Sequence, residues 1–142
     1  MFLVVDVNVI LSSLLGKGNS LDIFAINSVF KKFEFVAPEF LLIELEKNTK
    51  EIFERSRLLE SDFNKLKEFI KMQIRLIPES EFASEIEKAK ELLGKDTKDF
   101  PYVALALKLN VPIFSGDKIL KNCIPDKVFS PREILDRLFK NK

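Results

Sequence analysis

The chain has 142 residues, 46% hydrophobic and 32% charged, which is the length and composition of one compact domain with a single buried core and a solvated surface. It contains no histidine and one cysteine, so a Ser-His-Asp triad, a Cys-His pair, a histidine zinc site and any imidazole base are excluded. A formal net charge of +1 gives no global field toward nucleic acid or an anionic membrane, and any such binding must be local.

One domain over 1–142 and a reducing, cytoplasmic setting are the expectation. The sole cysteine, Cys123, reads as a structural thiol. The longest apolar stretches, Phe2 to Val5 and Phe40 to Ile43, are far shorter than a membrane span, and Asp6 breaks the apolar region that a signal peptide needs. Catalysis, if present, must then rest on carboxylates, hydroxyls, Lys and Arg, with a metal recruited from solution.

In chain order, Phe2 to Val5 predicts a strand buried on both faces, and Asp6 with the residues after it a turn. Asn19-Ser20 caps a helix through about Phe30, and Phe33 to Ala37 forms a second strand stopped by Pro38, which suits the first turn of a helix to about Arg57. Ser61-Asp62 caps another helix through about Met72, and Ile74 to Ile77 makes a third strand. Ser80 to Leu93 predicts a helix ended by Gly94, and Asp96 or Thr97 caps the next one, about Lys98 to Leu109, with Pro101 tolerated in its first turn. Val111 to Ser115 is a fourth strand and Lys127 to Phe129 a brief fifth, before Pro131 opens a last helix to about Phe139. Strands alternating with helices predict an α/β fold with a parallel sheet covered on both faces, whose ligands bind beyond the carboxyl ends of the strands where the strand order reverses.

Acids just after strands therefore matter most. Asp6 interrupts the apolar run Val4 to Ile10, and a carboxylate there must be paired or hydrogen-bonded to be tolerated; it reads either as a site acid or as a cap for the following turn, a role Asn8 could share. Asp117 in Ser115-Gly116-Asp117 fits a turn or helix start as well as a site. Asp96 and Asp99 lie at the start of the helix before the fourth strand, where the helix dipole favours acids and capping explains one of the pair. Glu44 flanks the apolar stripe of Leu41, Leu45 and Ile52, which suits a cleft or an ordinary surface pair with Lys47 or Lys50. If the first and fourth strands are neighbours, these acids converge, and oxygen-only ligands call for Mg²⁺ or Mn²⁺ rather than zinc.

The succession Val-Asp-Val-Asn-Val-Ile-Leu-Ser-Ser, Leu-Ile-Glu-Leu, Asp-Thr-Lys-Asp-Phe-Pro-Tyr-Val-Ala-Leu-Ala-Leu and Phe-Ser-Gly-Asp-Lys resembles the PIN-domain nucleases over essentially the whole chain. The resemblance implies a three-layer α/β/α sandwich with a central parallel sheet of four to five strands. It implies that Asp6, Glu44, Asp99 and Asp117 are the catalytic and metal-binding acids, with Asp96 matching an extra acid of one subgroup. Asn8 and Ser115 match polar residues that surround the acids in that family. A further acid carried by some members just after the last motif is absent here, where Lys118 and Ile119 stand.

The activity so implied is Mg²⁺- or Mn²⁺-dependent endoribonuclease hydrolysis of RNA, leaving a 5′-phosphate and a 3′-hydroxyl. The biological setting implied is the toxin of a type II toxin–antitoxin pair, held in check by a small antitoxin protein. The helices from about Pro38 to Met72 would serve homodimerisation or antitoxin contact. One alternative is a PIN scaffold that binds RNA or protein without cutting; loss of site acids marks such members, and none of the four is lost here. Another is a phosphotransfer enzyme of the haloacid-dehalogenase or receiver type, which wants a second acid at Asn8 or an acidic pair before a central Asp, neither of which the sequence supplies.

Overall fold

The computed structural model describes residues 1–94 and 98–140. Its centre is a five-stranded, all-parallel sheet in the order β3-β2-β1-β4-β5. Strand β1 (Phe2–Val5) lies in the middle because its side chains are apolar on both faces: Leu3, Val4 and Val5 are fully buried. It pairs with β2 (Glu34–Pro38) through Val4↔Val36 and with β4 (Ile113–Phe114) through Val5↔Phe114. Strands β3 (Ile74–Ile77) and β5 (Val128–Phe129) form the two edges.

The helices fall into two groups by their contacts. Helix α1 (Val7–Leu14) touches α2 (Ser20–Phe30), α3 (Phe40–Ser56) and α4 (Glu60–Lys71), and α2 meets α8 (Pro131–Leu138). Helix α6 (Phe100–Leu109) packs on β1, β2 and β4 beside α5 (Ile86–Leu93), which in turn meets α7 (Lys118–Cys123). This is the α/β/α sandwich expected. The small residues Ala104 and Ala106 let α6 lie close to the sheet, both buried. Much of the phenylalanine is spent on the core: Phe24 of α2 meets Phe35 of β2 edge to face at 5.1 Å, and both rings approach Phe114 of β4.

Several boundaries differ from expectation. Pro38 ends β2 instead of opening α3, because the ladder to β1 has already ended at Val4↔Val36 while the ladder to β3 continues to Pro38↔Ile77, so the missing N–H forfeits nothing. The turn after Asp6 is a full helix. Helix α4 begins at Glu60 with no side-chain cap, ahead of the Ser61-Asp62 expected to cap it. The stretch after Pro78 starts as two 3-10 turns, Glu79–Glu81 and Ala83–Glu85, hinged on the buried Phe82, and becomes α-helical only at Ile86. Cys123 is exposed, not packed, at the end of α7. Asp96 and Thr97 lie outside the described residues.

Candidate active site

The strand order reverses between β1 and β4, so the residues that follow these two strands share one crevice. Asp6 follows β1, its backbone N–H donating to the Phe114 carbonyl at 3.1 Å, and its side chain is completely buried. One oxygen, Oδ1, accepts the Asn8 backbone N–H at 3.3 Å and so caps α1. The other, Oδ2, accepts the Ser115 hydroxyl at 2.7 Å. Ser115 Oγ accepts the Asp117 backbone N–H at 3.0 Å, so this one buried hydroxyl ties together the segments that carry two of the acids.

Asp117 is the N-cap of α7, with Oδ1 accepting from the amides of Ile119 at 2.8 Å and Leu120 at 3.3 Å. Both of these backbone hydrogen bonds fall on that oxygen, and Oδ2 takes no backbone donor among the described residues. Asp99 occupies the N-cap position of α6 but makes no capping bond with its side chain. Glu44, half-buried on α3, accepts a 2.5 Å hydrogen bond at Oε1 from the hydroxyl of Tyr102, which is itself fully buried on α6. Tyr102 stands one helical turn beyond Asp99, so a single helix delivers both an acid and the donor that orients another acid.

The four carboxyl groups act on one another. Burial pushes Asp6 up to about 6, with the charges of Glu44 and Asp117 adding to it and the bonds from Ser115 and Asn8 opposing. Burial likewise pushes Asp99 up to about 6, helped by the charges of Asp6 and Asp117 and by a hydrogen bond with Asp117. Glu44 is raised by burial and by Asp99, against the Tyr102 bond and the more distant Lys47 and Lys98. Tyr102 is held firmly protonated by burial and by Glu44. Among the described residues none of these acids forms an ion pair with a Lys or Arg; in particular Glu44 has no such pair with Lys47 or Lys50.

Asp6, Glu44, Asp99, Asp117 and Ser115 are therefore brought together at one crevice. Asn8 contributes through its backbone alone, since its side chain is exposed and hydrogen-bonds to no described residue. Tyr102 is a contributor that the sequence did not single out; the signal was its place three residues after Asp99. No three acids among the described residues stand as a ready-formed metal cage. Their chemistry nonetheless fits a hard divalent cation: the donors are all oxygen, they repel one another, and no described Lys or Arg forms an ion pair with any of them.

The family model described as PIN domain matches residues 4–124. The chain belongs to the PIN-domain family. No curated protein matches it. PIN domains are nucleases that act on nucleic acids and typically use divalent metals, and in this PIN domain the matched span contains all four acids. No helix among the described residues is long and apolar enough to cross a membrane. The larger cavity of this PIN domain, about 740 Å³, lies beside Phe2, Phe35, Gln73 and Arg75 at the amino ends of the strands. It is on the wrong side of a parallel sheet for the acids, so the crevice at the carboxyl ends is the better candidate.

Proposed function

We propose that this PIN domain is a Mg²⁺- or Mn²⁺-dependent endoribonuclease, and that it serves as the toxin of a toxin–antitoxin pair. One observation carries the nuclease reading: four mutually repelling carboxyl groups at the switch point, none of them in an ion pair with a described Lys or Arg. The toxin reading rests on the family motifs, and a short antitoxin-like reading frame beside the gene is its expected companion.

Asp6, Asp99 and Asp117 would hold the cation, with Glu44 completing the set. Bound there, the ion supplies Lewis acidity at the phosphodiester and lowers the pKa of water for in-line attack. The protein's own part is positional. Ser115 fixes Oδ2 of Asp6 and the backbone of Asp117 relative to each other, and Tyr102 fixes Oε1 of Glu44. The carboxyls of Asp6 and Asp99 must lose their protons before they can serve as ligands, so the cation and the proton compete for them and activity falls on the acid side. No imidazole takes part.

The test is incubation with a mixed RNA pool in Mn²⁺ or in EDTA, alongside Asp6→Asn and Asp99→Asn. Cleavage in Mn²⁺ by the unaltered protein alone is expected. Equal cleavage in every lane would overturn the carboxylate–metal reading, and RNA binding without any cleavage would favour a non-catalytic scaffold.

A further inference from the structure

A second cavity, of about 340 Å³, adjoins the acids on the side of α1 and the end of α3. Its polar lining is Asn8, Ser12, Ser20, Arg55, Gly116 and Asp117. Asp117 thus belongs both to the acid cluster and to the lining of this cavity, so the two adjoin there. The volume is at the lower end of the roughly 300–1,000 Å³ of small-ligand sites. Arg55 is the only cation in the lining. It is half exposed and, among the described residues, held only by an exposed pair with Glu51 one turn earlier, at 3.4 Å, a link weak enough to be exchanged for another anion.

Arg55 and Glu44 are eleven positions apart on α3, about 16 Å along the axis of an α-helix. Among the four acids this cavity is lined by Asp117 alone, so a phosphate taken by Arg55 would sit beside the acid cluster and neighbour the scissile one along the same strand. We infer that this cavity is a backbone subsite for single-stranded nucleic acid, in which Arg55 takes a phosphodiester away from the scissile bond while the Ser12 hydroxyl lines the path. The inference rests on the nuclease reading above and adds to it a positioning residue and an approach direction for the strand. A guanidinium suits this use because its planar fork matches phosphate oxygens.

The test measures binding rather than cleavage. The Asp99→Asn variant removes turnover under the proposed mechanism and leaves this cavity intact, so it serves as the parent. Fluorescence anisotropy with labelled single-stranded RNA of about twelve nucleotides, within the span such sites cover, is followed over a salt series for the parent and for Arg55→Ala, Arg55→Lys and Glu51→Gln added to it. Arg55→Ala is expected to weaken binding roughly two- to fivefold and to lower the salt slope by about 0.7, the share of one single-strand phosphate contact. Arg55→Lys should restore the slope, and Glu51→Gln should leave binding equal or tighter. An Arg55→Ala affinity and slope equal to the parent's would overturn the inference while leaving the nuclease reading standing. A parent that binds no RNA at all would remove both.

Discussion

The Ser115 hydroxyl donates to Oδ2 of Asp6 at 2.7 Å and accepts the backbone N–H of Asp117 at 3.0 Å. It is one of the influences that hold the Asp6 carboxyl down against burial. Replacing it, Ser115→Ala, removes that influence, so Asp6 keeps its proton to higher pH. The acid limb of the pH–rate profile should move upward, with activity at high pH less affected than activity near pH 6. An unchanged limb would show that Asp6 does not govern it.

Asp6 also sets a pH signature on stability. Its carboxyl sits at about 6 in the fold against an ordinary value of 3.8, so the folded state holds the proton more tightly than the unfolded chain. Its contribution is fully favourable below about 3.8, is lost as pH rises through 6, and is constant above that. The ionised form costs about 2 to 3 kcal/mol at neutral pH. In EDTA, Asp6→Asn should therefore be more stable than the unaltered protein at pH 7 by up to that amount, with the gain fading toward pH 4. Urea denaturation at several pH values measures it, and a gain independent of pH would contradict the burial argument.

Tyr102→Phe deletes the hydroxyl that orients Glu44 and helps keep its carboxyl ionised. The ring still fills its buried place, so the fold should persist. Groups that orient metal ligands are typically worth about tenfold or more in metal affinity. Calorimetric titration with Mn²⁺ should show a loss of about that size in the variant, and equal affinity would mean that Glu44 does not help hold the ion.

A fourth expectation lies far from the acids. Both polar atoms of the Gln73 amide are buried and without a hydrogen-bond partner among the described residues. An unsatisfied amide costs about 1–3 kcal/mol, and Met has a similar shape without that cost. Gln73→Met should raise stability by about 1–2 kcal/mol with no change in metal or RNA binding. A loss of stability would mean that the amide is satisfied in solution.

The parts of the fold that were legible are those where one local signal dominates. The apolar run of β1, the stop at Gly94 and the opening of the last helix at Pro131 each suffice alone, and the structure adds a Ser130–Glu133 capping box at that opening. Helix α1 was missed because its β-branched start, Val7 and Val9, resembles a strand; the Asp6 cap and packing against α2, α3 and α4 decide it instead. Pro38 misled because its effect depends on which neighbouring strand has already ended. The acids were readable as an ordered set, whereas the role of Tyr102 depended on how α6 turns toward α3, a tertiary fact with only a spacing to announce it.

Tyr102 is the only tyrosine in a chain that has no tryptophan. Selectively excited tyrosine emission from this protein is therefore emission from a single ring hydrogen-bonded to Glu44. The site carries its own optical probe: cation capture, RNA arrival or protonation of Glu44 can each be followed in the unlabelled protein, at the residue where they act.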